Sequence, residues 1–399
     1  MFGRKVEKPQ KYLGLDIGTE YIKAVLFRME AGQIVVENFV RTRQKITAMK
    51  NGTITNIKHV VMACSEALEE LNPNQDNILG SFIGIAGELV KGVPLDVNYK
   101  RTTKGAITEK EIEDVVNKIE PQAFEEAINI FKQATGQDTV DDFEIKLTNI
   151  TVIHAKIDGF DVENPIGIEG TSVSLKIYFT FAPQVHIGYV RSVSESLGIP
   201  VLGIMSEPFA IARAIKINAD KLFSGIIIDV GGGTTDIAMV KDGVIIGTDM
   251  FAFGGRVFTK RIANDLGISL EEAESLKIKY SKKEISVMKL PEVKASIMKD
   301  VMMWVDGVEI VLEGFKKDVK SYPLMIYLCG GGALLSEIKD VLLEHPWTQA
   351  LPFVKHPKVG YLTLNELDGI RDETGGLNKC EYVPSLAISR YAIEVVGTE

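Results

Sequence analysis

The chain has 399 residues, 45% hydrophobic and 25% charged, a composition that fits a globular protein of two to four units rather than one core. Its formal net charge of −9 argues against a nucleic-acid binder and against a whole surface docked on an anionic membrane, although a local basic element could still dock there. Cys64, Cys329 and Cys380 are widely spaced and form no Cys/His cluster, so reduced thiols are expected and a zinc site is not.

Met1 to Lys11 carries Arg4, Lys5, Lys8 and Lys11 without an apolar core, so it does not read as a signal peptide. No run reaches the roughly 18 apolar residues of a membrane span. Strands are predicted at Tyr12 to Asp16, Tyr21 to Glu30 and Ile34 to Arg41, with Ala31-Gly32 as a turn. Apolar residues recur at helical spacing across 56–71, and Phe82 to Ala86 is a short strand. From about Glu88 the texture changes. Val90 to Tyr99 reads as an exposed strand, and Thr108 to Glu111 opens a helix with a capping signal. Pro121 to Thr135 continues helical, with Gly136 as a stop. Leu147 to Asp158 and Val173 to Phe181 are strands around a turn at 161–170, and Pro183 to Leu197 is a helix ending at Gly198. Glu207-Pro208 starts a helix, Phe209 to Ile217. Asp242-Gly243 marks a hairpin, 256–320 is rich in helix, and Pro323 to Cys329 is a strand running into three glycines. Leu334 to Leu343 and about 384–396 are the last helices.

Two segments of this order share one design. Leu13 to Val25 contains Asp16-Ile17-Gly18-Thr19, and Gly225 to Val240 contains Asp229-Val230-Gly231-Gly232-Gly233-Thr234-Thr235-Asp236. Each is an apolar strand, an Asp-x-Gly, a hydroxyl residue and a returning apolar strand. The backbone N–H groups of such a turn can cradle a phosphate while its carboxylate faces a metal. Either Asp-x-Gly alone could be only a turn; the pair implies two half-domains closing on one nucleotide. Asp16, Asp229 and Asp236 near a triphosphate call for Mg²⁺, held through water. Gly18, Gly231, Gly232 and Gly233 permit close approach to phosphate oxygens, and Thr19, Thr234 and Thr235 add hydroxyl donors. Gly330-Gly331-Gly332 offers a surface for adenine or ribose. Glu274 and Lys277 share a helix face and could contact the nucleoside or form a surface ion pair. Glu207 could position the attacking water or serve as an ordinary first-turn acid. His59, His154, His186, His345 and His356 form no constellation.

These motifs, in this order, resemble the actin, sugar-kinase and heat-shock ATPase superfamily, and within it the bacterial cell-division FtsA family. The most discriminating stretch is Ile157-Asp158-Gly159 followed by Asn164 to Gly170. Phe253-Gly254-Gly255 with Phe258-Thr259, Ala273 to Lys277 and Leu328 to Leu334 extend the likeness over nearly the whole chain. The resemblance implies an α/β, two-lobed actin-like ATPase fold with duplicated ribonuclease-H-like domains and an inserted small α+β subdomain. It implies ATP and Mg²⁺ between the lobes, with Asp16, Gly18 and Thr19 in the first phosphate loop. Asp229, Gly231 to Gly233, Thr234 and Asp236 fall in the second. Gly255, Glu274, Lys277 and Gly330 to Gly332 fall on nucleotide contacts, and Glu207 near the hydrolytic water, with Asp16 and Asp229. It further implies head-to-tail filaments, the C-terminal peptide of an FtsZ-like tubulin and inner-membrane division proteins as partners, and a cytoplasmic location at the inner face of the cell membrane. Hydrolysis is expected to be weak or filament-dependent.

The expected division is a first-lobe core at 10–87, the insert at 88–173, the first lobe with a hinge helix at 174–222 and the second-lobe core at 223–265. A helical nucleoside-contact subdomain at 266–322, the second lobe again at 323–380 and a terminal helix returning to the first lobe at 381–399 complete it. FtsA ends in a basic amphipathic anchor, whereas Leu386 to Val395 holds one basic residue, Arg390, and reads as part of the first lobe. The related type IV pilus family, PilM, is the alternative: it shares the insert, lacks such a tail, and has a similar basic leader. A small-molecule kinase of the same fold would need an acceptor pocket with a catalytic base, for which no clear residue stands out.

Overall fold

The structure, a computed structural model, describes residues 9–72, 77–85, 90–135, 144–162, 164–216 and 222–397. The basic leader up to residue 8, Ala86, Gly136 and Ile217 lie outside the described residues. Lys11–Ile17, Tyr21–Glu30 and Gln33–Arg43 form an antiparallel meander. Ile78–Ile85 then lies parallel to Lys11–Ile17, and Val201–Ser206 parallel to Ile78–Ile85. A second sheet repeats the plan. Gly225–Val230, Thr235–Lys241 and Val244–Phe251 are its meander, and Met325–Cys329 and Lys358–Tyr361 extend it in parallel from Gly225–Val230. The five strands therefore follow the same order in both sheets, and Ile370–Asp372 adds a sixth only to the first. This is the expected duplication.

Each central strand is apolar because both its faces are covered. Gly225–Val230 is buried at every position, and Lys11–Ile17 at every position after Lys11. Helix Ile57–Leu71 turns Val60, Ala63, Cys64, Ala67 and Leu71 onto the first sheet, and Asn56 caps its start by accepting the His59 N–H. Helix Val383–Arg390 packs on Lys11–Ile17 and on helix Glu207–Ala214. The single terminal helix expected at 384–396 is broken at Tyr391 and resumes as Ala392–Val395.

Lys91–Lys100, Ser172–Pro183, Ile145–Ile157 and Phe160–Val162 make a separate four-stranded antiparallel sheet. Helix Glu109–Thr135 covers it, with Ala123, Ala127 and Phe131 in a core shared with Val93, Phe179 and Phe181. The helix opened at Thr108 to Glu111 runs on through Pro121, which lies inside it. The proline removes the N–H that would bond the Asn117 carbonyl. Both residues are exposed, so water can satisfy that carbonyl and the helix continues.

Helices Gly255–Leu266, Leu270–Ser281 and Leu290–Gly314 follow the second meander. The Ser269–Glu272 capping box starts the middle one. Trp304 of the third is fully buried and donates its indole N–H to Thr235 Oγ1 at 2.9 Å. Trp304→Phe deletes that bond and leaves a gap, so chemical denaturation should show a loss of about 1–2 kcal/mol. Unchanged stability would mean that the indole does not anchor this helix to the second hairpin. No helix among the described residues is long and apolar enough to cross a membrane.

Candidate functional site

The two Asp-x-Gly turns are closed by the same hydrogen bond. Gly18 N–H donates to Tyr21 O at 3.1 Å, and Gly231 N–H donates to Thr234 O at 2.9 Å. Strand register then sets Asp16 opposite Lys23 and Asp229 opposite Asp236. All four side chains line one cleft between the sheets, joined by Glu207 from the first turn of its helix. Lys23 Nζ lies 2.7 Å from Asp16 Oδ2, and Thr234 Oγ1 donates to Asp236 Oδ2 at 2.9 Å. Thr235 departs from expectation. It is the first residue of a strand, where side chains alternate, so with Thr234 and Asp236 in the cleft it faces the other way. Its hydroxyl donates to Phe253 O and accepts from Trp304, deep in the second lobe.

Four acids, Asp16, Asp229, Asp236 and Glu207, crowd around Lys23 in this part of the cleft. Burial, then the neighbouring Asp236, pushes the Asp229 carboxyl up to about 7 despite Lys23. Burial lifts Asp236 to about 6 against the pull of the Thr234 hydroxyl and Lys91. Burial, with Asp16, Asp229 and Asp236, holds Glu207 well above the ordinary glutamate range. Burial alone would lower Lys23, but Asp16, Asp229 and Glu207 outweigh it and raise its pKa. Asp229 Oδ1 is buried with no hydrogen-bond partner, an arrangement that costs stability unless a cation or donor arrives. Among the described residues no three acid, His or Cys side chains stand close enough to ligate a metal directly. The donor set therefore fits a cation held through water, as hydrated Mg²⁺ commonly is.

The loops meet at their tips. A Cβ on Gly232 would come 2.6 Å from Glu20 Cγ, and one on Gly233 would come 2.7 Å from Thr19 Oγ1. Directly beside Asp229, Gly330 has φ +83° and donates its N–H to Cys380 O at 3.1 Å. The expected helix from Leu334 begins instead at Ser336, because a 3₁₀ turn, Gly332–Leu334, comes first. Glu274 and Lys277 are buried rather than a surface pair. Lys277 Nζ reaches Glu274 at 2.8 Å, Thr259 Oγ1 at 2.7 Å and Gly255 O at 2.8 Å. Burial would raise Glu274, but Lys277 and the Thr259 hydroxyl hold it below the ordinary glutamate value.

The cleft encloses a cavity of about 430 Å³. Every candidate residue except Thr235 lines it: Asp16, Gly18, Thr19, Glu207, Asp229, Gly231 to Gly233, Thr234, Asp236, Gly255, Glu274, Lys277 and Gly330 to Gly332. Lys23, Glu20, Arg41, Lys282 and Tyr382 line it too and were not singled out in the sequence. Lys23 carried a usable signal, since it holds the hairpin position that Asp236 holds in the second copy.

The model of the family described as "Cell division protein FtsA" matches residues 226–366. The cell division protein FtsA of Neisseria meningitidis is 26% identical over 283 residues, covering 69% of this chain and 63% of that protein. The FtsA of Streptococcus pneumoniae is 24% identical over 355 residues, 84% of this chain and 73% of that protein. The chain thus spans less than two thirds of the Neisseria relative. Among solved structures, the "PilM-PilN type IV pilus biogenesis complex" matches with a TM-score of 0.67 at 15% identity, covering 97% of this chain and 99% of that chain. The resemblance read from the motifs is borne out, to FtsA in sequence and to the actin-like ATPases in fold.

Proposed function

We propose that this chain, related to the FtsA proteins and built on the actin-like ATPase fold, binds ATP with Mg²⁺ between its lobes and acts as a cell-division adaptor. The observation that carries the nucleotide reading is the convergence of both Asp-x-Gly turns and the triple-glycine turn on one cavity, beside the unpartnered Asp229 Oδ1. Asp16, Asp229 and Asp236 would hold the cation through water, and the cation would neutralise charge on the phosphate oxygens. The turn N–H groups after Asp16 and Asp229 would bind phosphate, with the Lys23 ammonium as a further cation facing it. Gly330 to Gly332, Glu274 and Lys277 would form the nucleoside end. Glu207, lining the cavity from the first turn of its helix, would orient the attacking water and, once the cation neutralises the neighbouring acids, accept its proton. Turnover would be slow in the monomer and would depend on lobe closure.

Self-association in filaments, recruitment of an FtsZ-like tubulin through its C-terminal peptide, contact with inner-membrane division proteins and a place at the inner face of the membrane rest on the relation to FtsA. The PilM-like reading shares the same cleft and differs in its partner. On its side stands the nearly end-to-end match in fold. Calorimetry with Mg-ATP tests the site, and a chain that binds no nucleotide would overturn it. Fluorescence anisotropy with Mg-ATP present separates the readings. Binding of the tubulin tail alone supports the adaptor. Binding only of the cytoplasmic N-terminal tail of a pilus inner-membrane protein moves the chain to pilus assembly.

A further inference from the structure

Arg256 carries no role in the nucleotide reading, yet it touches both phosphate loops. Its backbone N–H donates to Gly232 O at 2.8 Å, and the preceding Gly255 N–H donates to Gly231 O at 2.9 Å. The start of helix Gly255–Leu266 is thereby fixed to the second loop. The side chain then crosses to the first lobe. Nη2 donates to Thr19 O at 3.0 Å, Nη1 donates to Ile46 O at 3.1 Å and Met49 O at 2.8 Å, and Nε donates to the Glu20 carboxylate. The planar guanidinium thus serves four acceptors from one lobe, a geometry that a lysine cannot reproduce.

Two features set this contact apart from an ordinary surface ion pair. The side chains of Arg256 and Glu20 are only 13% and 11% exposed, so solvent and salt screen them little. Glu20 also packs directly on Gly232, where any Cβ would overlap it. The link continues to the nucleoside end, because the Gly255 carbonyl next to Arg256 accepts from Lys277 Nζ, which lines the cavity beside Glu274.

We infer that Arg256 is a positioning residue that fastens the two phosphate loops to each other across the cleft and sets their spacing. Its consequence for nucleotide release rests on the nucleotide reading; its structural part does not. Without the fastening, the loops part more often, and a ligand held between them leaves faster while its entry changes little. Charge-assisted bonds of this kind are worth about a ten- to hundredfold change when lost.

The test has two arms on the full chain. Hydrogen–deuterium exchange without nucleotide compares wild type with Arg256→Gln. The Gly52 amide, which donates to Thr19 Oγ1, and the Gly18 and Gly231 amides report on the loops. Their exchange should rise about tenfold or more while the amides of Gly225–Val230 stay protected. Stopped-flow displacement of a fluorescent ATP analogue with Mg²⁺ should then show dissociation faster by about ten- to hundredfold, with association within about threefold. Glu20→Gln, which leaves the helix start intact, should move both readouts in the same direction, and it replaces Arg256→Gln if that variant does not fold. Unchanged loop exchange overturns the inference whatever binds in the cleft. Faster exchange with unchanged dissociation overturns it as well, because Arg256 would then be a local structural bond only. If wild type binds no nucleotide, the nucleotide reading fails and the exchange arm alone decides the fastening.

Discussion

Replacing Asp229 with asparagine stabilises the nucleotide-free chain at pH 8 and weakens Mg-nucleotide binding by about a hundredfold, roughly 3 kcal/mol. Both effects follow from one carboxylate. Asp229 is 4% exposed, and its Oδ1 has no partner. Burial, Asp236 and Asp16 resist its ionisation more than Lys23 favours it, which is why its pKa stands near 7. An amide of the same shape carries no charge to desolvate and removes one repulsion from Glu207. The same amide cannot supply the negative oxygen that a hydrated divalent cation needs.

The sign of the pH dependence is fixed by the direction of the shift. Asp229 moves from an ordinary 3.8 up to about 7 on folding, so the folded chain holds the proton that the unfolded chain has lost. Its contribution to stability is complete below pH 4, declines as pH rises towards 7, and is gone above that. A rise of this size corresponds to about 4 kcal/mol. Asp236 and Glu207 are raised too and act with the same sign. Melting curves between pH 5 and 8 without nucleotide should therefore show wild type losing stability relative to Asp229→Asn as pH rises. Mg-ATP should reverse the order at pH 8, because the cation selects the ionised carboxylate. If Asp229→Asn melts below wild type at pH 8 without nucleotide, the carboxylate is satisfied in the folded chain and this account of the cleft is wrong.

The parts of the site that were legible in the sequence are local. An acid at the end of an apolar strand, a glycine turn and a returning strand lie within a dozen residues, so both hairpins could be read directly. The same holds for Gly330 to Gly332 after Met325–Cys329. What the sequence concealed depends on contacts made far along the chain. Glu274 and Lys277 visibly share a helix face, but only packing against Thr259 and Gly255 shows that face to be buried. Arg256 looks like a surface arginine until the fold brings it to carbonyls more than 200 positions earlier. Thr235 was misplaced for a different reason: it was grouped with the loop, whereas the strand already starts there and side chains alternate. Lys358–Tyr361 and Ile370–Asp372 are too short to show any period, and each exists because a neighbouring strand offers it hydrogen bonds.

Gly330→Ala and Gly331→Ala should have opposite consequences although the two glycines are adjacent. Gly330 sits at φ +83°, where an L side chain is strained, and a Cβ there would overlap the Asp229 carboxylate and crowd Val230 O. Strain and overpacking together predict a loss of roughly 2–4 kcal/mol in stability. Gly331 has an ordinary φ of −70°, and nothing lies within 4 Å of its absent Cβ. The space that this Cβ would take adjoins the cavity that Gly331 lines. Gly331→Ala should therefore fold with a stability within about 0.5 kcal/mol of wild type. A nucleoside resting on that backbone would meet the new methyl, and affinity for Mg-ATP should fall about tenfold or more. Urea titration and calorimetry on the two variants separate the effects. Full affinity in a stable Gly331→Ala would move the nucleoside away from the triple-glycine turn, since the protein itself leaves the methyl free of contacts.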